Sequence, residues 1–404
     1  MPSIPPPVKC SPPSSTAHRS APPLIFHGVT LLEGTGGLNQ YALAALIALR
    51  ADATQPPVEV WIPSALRHHP SLSTLGSVHL YAAPHLHRGF AFNHLFWVNC
   101  LALHLRLRRP RSPVFSPIEV YTLLPLRHLL VTAHDCYADR FGSPYHPGRT
   151  SLGRRLCIRQ LKRSRILSVS QFTTKELHAL HRIPLSQINT VHNWLPRNYA
   201  LNPSVAQLAQ LKTKLDLPDR FWLYIGGFRL NKNLPFLFEA YAAALTANPN
   251  TPPLVIAGNF PPEDTPFTGP FHAAIDRHPG LRPHLCFPGF IPDESLSALY
   301  KLAELVICPS TYEGFGYPVI ESSSVGTPII AARATSFNEL GLPPANLFSV
   351  DDPRELTSLL GHAADGHAAR FSSPCPPQFS TSNGESRFRA AISQWLKSIL
   401  PTSN

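Results

Sequence analysis

A chain of 404 residues, 44% of them apolar and 15% charged, is too long for one ordinary core, so two domains are expected. Its formal net charge of +11 sits in the front half: residues 1–200 carry 21 Lys and Arg against 7 Asp and Glu, residues 201–404 carry 14 against 17. Seven scattered cysteines without a CxxC argue against a disulfide framework and a zinc site, and fit a reducing compartment.

The first 23 residues, rich in Pro and Ser and without an apolar run, read as a disordered tail rather than a signal peptide. Short β-branched runs then alternate with amphipathic stretches, the pattern of parallel sheets covered by helices on both faces. In the first half, strands are predicted at 23–31, 58–63, 77–83, 128–134, 165–170 and 188–193. A helix is predicted over 38–51, where Leu38, Tyr41, Ala42, Ala45, Leu46 and Leu49 share one face. Thr173 and Glu176 are placed as a capping box opening another helix. The apolar stretch 90–107 contains two Asn, two His and an Arg and is too polar and too short to span a bilayer, so a cytoplasmic location is expected.

The pattern pauses near Pro196–Pro203 and restarts with strands predicted at 221–227, 254–258, 284–289, 305–309, 328–332 and 346–350. The expected organisation is a tail over 1–23, an N-terminal Rossmann-like domain over 24–200 and a C-terminal Rossmann-like domain over 201–370. A linker with a C-terminal helix covers 371–404. The linker is read as 371–386, and the helix after it carries Phe388, Ile392, Trp395 and Ile399 on one face. Two doubly wound parallel sheets would face a central cleft, the usual place for ligands beyond the carboxyl ends of strands.

Two segments carry chemistry. In STYEGFGYPVIESSSVGTP (310–328), Glu313 and Glu321 stand eight positions apart around a Gly-Phe-Gly, just after an apolar strand. Pro318 falls in the first helical turn, where its missing N–H does no harm. Glycines allow backbone N–H groups to approach a ligand at a helix N-terminus that favours negative charge. Two carboxylates at that spacing suit two hydroxyl-bearing parts of one extended ligand better than one metal ion. IGGFRLNKN (225–233) adds Gly226 and Gly227 for a close turn, with Arg229 and Lys232 as cations for phosphate oxygens. Diphosphate cations beside hydroxyl acceptors describe a nucleotide-sugar site.

These segments, with LVIAG, FPGFIPDESLSALYKLAELVICPS and LFSVDDPRELTSLL, resemble the retaining glycosyltransferases of family four, the glycosyl transferases group one domain, over about residues 220–360. That resemblance implies a two-domain GT-B fold and transfer of a hexose, with mannose suggested, from a nucleotide-diphosphate sugar to a glycan or lipid-linked acceptor. It implies that Arg229 and Lys232 hold the donor diphosphate, that Glu313 with the backbone of Gly314, Phe315 and Gly316 binds the sugar, and that Glu321 binds the ribose. Phe290 to Asp293 would lie by the base. In the first half, GTGGLNQYA resembles the family's glycine loop and implies Gly36 and Gly37 near the phosphates, while His134-Asp135 resembles the His-Asp of mannosyltransferase-like members, with His134 near the sugar. Ser322, Ser323 and Ser324 stand where the family often has Ala-Met-Ala.

No cofactor is expected beyond the donor, and no metal, since no Asp-x-Asp occurs. A basic face over 153–166, with Arg155, Arg159, Lys162 and Arg163, together with LRLRRPR (105–111), suggests peripheral contact with an anionic membrane on its inner face or with a lipid-diphosphate acceptor. No nucleic-acid motif is present. The alternatives from other classes are a nucleotide-sugar epimerase or phosphorylase of the same architecture, and a non-catalytic nucleic-acid- or glycan-binding protein.

Overall fold

The computed structural model describes residues 22–32, 36–52, 56–86, 90–142, 152–196, 202–259 and 269–400. The expected N-terminal tail therefore lies almost wholly outside the described residues, as do 197–201 at the expected domain boundary. Among the described residues the first sheet has seven strands, β1 (Leu24–His27), β2 (Val58–Pro63), β3 (Val78–Tyr81), β4 (Val114–Ser116), β5 (Leu129–Ala133), β6 (Arg165–Ser168) and β7 (Ile188–Thr190). Its order is β3-β2-β1-β4-β5-β6-β7, and every pairing is parallel. The second has β8 (Trp222–Ile225), β9 (Leu254–Ala257), β10 (Leu285–Gly289), β11 (Leu305–Cys308), β12 (Ile329–Ala332) and β13 (Leu347–Phe348). It runs β10-β9-β8-β11-β12-β13, again parallel throughout.

Both sheets reverse winding direction next to their first strand, between β1 and β4 and between β8 and β11. The crevice at such a switch point is where an open α/β sheet can receive a ligand, because the loops on its two sides lead to opposite faces. The loops after β8 and β11 are the two segments singled out above.

Helices cover both faces of each sheet. Buried β-branched and aromatic strand residues such as Val60, Ile62, Phe115, Trp222, Val255 and Ile307 explain the near-continuous apolar strands of doubly covered sheets. Helix Thr381–Ile399 returns from the second domain and buries Phe388, Ile392, Trp395 and Leu396 in a first-domain cluster with Tyr41 and Trp194. Full burial of four such side chains is worth on the order of 6–12 kcal/mol, an upper estimate. The two crossings between domains run side by side: Leu195 N–H donates to the Phe379 carbonyl at 2.9 Å, and Thr381 Oγ1 donates to the Leu195 carbonyl at 2.8 Å.

Four local readings need correction. Strand β4 was not anticipated, because its three residues lie between Pro113 and Pro117 and read as a loop. The run at 23–31 holds a strand only to His27, and Val29–Leu32 forms a 3-10 turn. The helix read as opened by Thr173 and Glu176 is Gln171–His181, capped by Ser170, whose hydroxyl accepts from the Thr173 amide at 3.0 Å. Glu176 instead accepts from Arg140 through both oxygens. The last helix starts at Thr381, inside the stretch read as linker, because Ser380 caps it.

Candidate active site

Loop 309–316 leaves β11 and enters helix Tyr317–Ser324 through Gly316, whose φ of 107° is costly for any side chain. Pro318 sits in the first turn, as expected. The loop is braced from behind. Ser336 Oγ donates to the carbonyls of Glu313 (3.0 Å) and Phe315 (2.7 Å), and the Glu313 amide donates to Thr335 Oγ1 at 3.0 Å. Across the switch point, Asn231 Nδ2 donates to the Tyr312 carbonyl at 2.8 Å, and the Thr311 amide donates to the Asn231 carbonyl at 2.8 Å. The two segments are therefore one unit.

Within that unit Lys232 Nζ lies 2.5 Å from Glu313 Oε1, with both side chains about four-fifths buried. The Arg229 guanidinium stands 5.8 Å from the ring centre of Tyr137, a first-domain residue. Glu321 is buried one turn into its helix, and Tyr300 donates its hydroxyl to Glu321 Oε2 at 2.7 Å. Burial pushes the Tyr224 hydroxyl well above its usual range, with the Glu313 charge adding to the effect. Tyr224 donates to the Gly227 carbonyl at 2.8 Å and so shapes the turn before Arg229.

The first domain closes against this unit. A Cβ added to Gly314 would stand 1.8 Å from the His134 carbonyl oxygen, so only glycine permits this approach. His134 Nε2 lies 2.8 Å from the Pro117 carbonyl. A carbonyl only accepts, so Nε2 carries the hydrogen and Nδ1 keeps its lone pair. Burial lowers the pKa of this imidazole, and it stays neutral near pH 7. Gly37 opens helix Gly37–Arg50 and meets the Tyr317 ring, 3.6 Å from a Cβ built on it; the space around a Cβ on Gly36 is open. Asp293 opens helix Asp293–Leu302. Burial raises its pKa, opposed by a hydrogen bond from Gln40 across the cleft.

Of the residues expected at the site, the structure brings Arg229, Lys232, Glu313, Gly314, Phe315, Gly316 and Glu321 into one unit, with His134 against its face. Gly37 and Asp293 lie at contacts between the domains, and Asp293 engages Gln40.

Several neighbours were missed. Tyr312 is the clearest: its ring lies 5.4 Å from Phe172, 5.5 Å from Phe141 and 6.4 Å from Tyr137, all first-domain residues. Its hydroxyl accepts from the Cys136 amide at 3.0 Å. Glu339 accepts from the amides of Gln171 (2.8 Å) and Phe172 (2.6 Å) and pairs with His192 at 3.0 Å. Here a second-domain carboxylate caps a first-domain helix. At the first domain's own switch point His27 ends β1 and contacts Ser116 Oγ at 3.3 Å. Ser116 gives its one proton to the Ile118 carbonyl at 2.7 Å, so His27 Nδ1 donates and its buried Nε2 keeps a bare lone pair. Burial, reinforced by His94, lowers the pKa of His27 to about 3. A signal existed in the sequence, a polar residue at the carboxyl end of each strand beside the switch point, but it needs the strand order to be read.

Behind His134 lies a buried network in which Arg154 pairs with Glu119 and Asp139, and His181 pairs with Asp139. Cys136, Asp139 and His181 are close enough to hold an ion. Arg154 and His181 already occupy the Asp139 carboxylate, and burial pushes the Cys136 thiol far up, so the donor set fits a structural ion-pair network better than a cation site.

Residues 209–353 match the model of the family described as "Glycosyl transferases group 1". That match covers about a third of the chain, whose two parallel sheets have the GT-B architecture. Its GT-B architecture agrees with solved structures that share the fold at low identity. Sucrose-phosphate synthase from Thermosynechococcus elongatus superposes at a TM-score of 0.65 with 19% identity, over 94% of this chain and 98% of that one. Anabaena HepE, solved in complex with UDP and glucose, superposes at 0.63 with 16% identity, over 93% and 100%. In sequence, the O-antigen chain mannosyltransferase B of Escherichia coli is 31% identical over 203 residues, which is 49% of this chain and 50% of that protein. This chain thus spans half the length of that relative. The GT-B match covers both domains, whereas the family model stays within the second.

Proposed function

We propose that the protein is a retaining glycosyltransferase that moves a hexose, mannose by its resemblance to the E. coli enzyme, from a nucleotide-diphosphate sugar to a glycan or lipid-linked acceptor in polysaccharide or glycoconjugate synthesis. The observation that carries this is the Lys232–Glu313 pair beside Arg229 at the switch point, with buried Glu321 one helical turn away. Cations for a diphosphate, a carboxylate for sugar hydroxyls and a second one for the ribose are the groups that a nucleotide sugar calls for, and this supports the reading.

In this reading Arg229 and Lys232 hold the diphosphate and stabilise the charge that grows on it as the glycosidic bond breaks, with helix N-termini adding to the field. No cofactor or metal takes part in the proposed reaction. Glu313 and the backbone of Gly314, Phe315 and Gly316 bind the sugar. Glu321, oriented by Tyr300, accepts from ribose hydroxyls. Gly36 and Gly37 approach the phosphates, and Phe290 to Asp293 border the base. Neutral His134 offers a hydrogen-bonding edge to the transferred sugar. The acceptor enters from the first domain. The protein works in the cytoplasm, at the inner face of the membrane, through its basic first domain, and nucleic acid is not a partner.

The test is thermal stabilisation by UDP, GDP, ADP and dTDP of the wild type and of Glu321→Ala. A nucleotide at a hundred times its Kd adds about 2.7 kcal/mol of stability. One of the four is expected to stabilise the wild type clearly and the variant weakly. No shift with any nucleotide in a folded sample would sink the proposal.

A further inference from the structure

Helix Phe90–Arg108, the segment 120–128 and helix Leu152–Leu161 form one continuous surface of the first domain. Asn99 Oδ1 accepts from the amides of Leu123 (2.9 Å) and Leu124 (3.1 Å). Arg106 donates to the Pro125 carbonyl at 3.1 Å. Arg159 donates to the Leu123 carbonyl at 2.5 Å. Trp97, Val98, Leu101, Ala102 and Leu105 turn the helix toward the core. On its other face Leu103 and Leu107, one turn apart, are 49% and 72% exposed, and Leu123 beside them is 58% exposed. The first domain exposes other apolar side chains, Leu152 on the neighbouring helix at 68% among them, and a group of leucines on joined elements points to a partner.

The charge around that row has one sign. Arg106, Arg155, Arg159, Lys162 and Arg163 are all exposed. The last two lie just past the end of the helix rather than on it, so the expected single helical face is completed by the turn into β6. From Asn99 to Lys175 the sequence holds three acids, Glu119, Asp135 and Asp139. Glu119 and Asp139 are paired with Arg154, and Asp135 accepts from the Tyr137 amide at the cleft. Glu59, largely buried, binds Arg109 at the border of the patch.

We propose that this surface docks the protein on an anionic lipid bilayer, with Leu103, Leu107 and Leu123 entering the headgroup boundary and the surrounding Arg and Lys meeting lipid phosphates. This deepens the membrane contact in the function proposed above and does not depend on the transferase chemistry. Exposed leucines between arginines favour a bilayer over nucleic acid, whose unpaired bases are met by aromatic side chains. The patch lies toward the amino ends of the strands, since the helix and the 120–128 segment lead into β4 and β5. The surface therefore anchors the protein while the cleft at the carboxyl ends stays free.

The experiment is flotation of the full chain with phosphatidylcholine vesicles, with and without phosphatidylglycerol, at low and at physiological salt. Binding is expected only to the anionic vesicles and is expected to weaken with salt. Arg155→Gln with Arg163→Gln removes two charges worth about 1 kcal/mol each near such a surface, so its partitioning should fall about thirtyfold. Leu107→Gln with Leu123→Gln, which leaves the charge unchanged, should lose at least about tenfold, because two exposed leucines no longer bury. Both variants should keep wild-type unfolding temperatures and nucleotide stabilisation, which separates this inference from the donor site. Equal partitioning onto neutral and anionic vesicles would overturn it. So would an unaffected leucine variant, or an RNA oligonucleotide bound at physiological salt where vesicles are not.

Discussion

In the proposed function the Lys232–Glu313 pair makes Glu313 an internal competitor of the donor. At 2.5 Å and about four-fifths buried, the pair is a charge-assisted hydrogen bond worth about 1.5–3 kcal/mol. A diphosphate that takes Lys232 must first displace this carboxylate, so the energy of the pair is subtracted from binding. The displaced Glu313 is then free to accept from sugar hydroxyls, and one exchange serves both ends of the ligand. In Glu313→Gln the amide holds Lys232 weakly and carries no charge to repel phosphate. The stabilising nucleoside diphosphate should therefore bind about ten- to a hundredfold more tightly, by titration calorimetry. The ligand-free variant should unfold at a lower temperature, because a partly buried ammonium loses its partner. The corresponding nucleotide sugar should gain less than the free diphosphate, since its contact with Glu313 is weakened, and transfer should fall. A folded Glu313→Gln protein that binds the diphosphate no more tightly than the wild type would refute the argument.

Gly314→Ala should abolish transfer, by more than about a hundredfold, because its Cβ would stand 1.8 Å from the His134 carbonyl oxygen and both sides of that contact are backbone; near-wild-type transfer would show that the contact is not needed. Burial alone would raise the Glu339 carboxyl, but the His192 ring and the amides of Gln171 and Phe172 outweigh it and hold the pKa below the usual glutamate value. A lowered folded pKa stabilises above the ordinary value of about 4.3 and is lost as pH falls through the folded one. Unfolding temperature should therefore drop more steeply on acidification in the wild type than in Glu339→Gln, and superimposable acid limbs would count against the interdomain cap.

The parallel-sheet architecture was legible because doubly covered strands are apolar on both faces: VEVWIP and LVICP announce themselves as strands without any partner in view. Strand β4 escaped because three residues between two prolines carry no period, and only pairing with β1 and β5 makes them a strand. Thr173 reads as the cap in the sequence although Ser170 can cap as well, and which does so depends on where the chain leaves β6. Arg229, Lys232, Glu313 and Glu321 could be picked out as candidates because each sits in a local strand-loop-helix unit. Gln40, Tyr312 and Glu339 were not, because their partners Asp293, Cys136 and Gln171 lie more than 150 residues away in the other domain. A contact of that kind has no local period or spacing to betray it.

Tyr312 explains why that missing layer matters for the site. It precedes Glu313 directly, so its ring and the Glu313 carboxylate share one short segment pinned by Asn231 and Ser336. Its ring contacts three first-domain aromatics, each pair contributing about 0.5–1.5 kcal/mol beyond area burial. Its hydroxyl satisfies the amide of buried Cys136, which would cost about 1–3 kcal/mol if left buried and unpaired. Tyr137, from the same aromatic group, also faces the Arg229 guanidinium. Any opening of the cleft must therefore withdraw Tyr312 from its socket, remove Tyr137 from Arg229 and release His134 from Gly314 together. In the proposed function the donor contacts lie within the second domain, but their geometry is set by contacts that exist only when the first domain is seated.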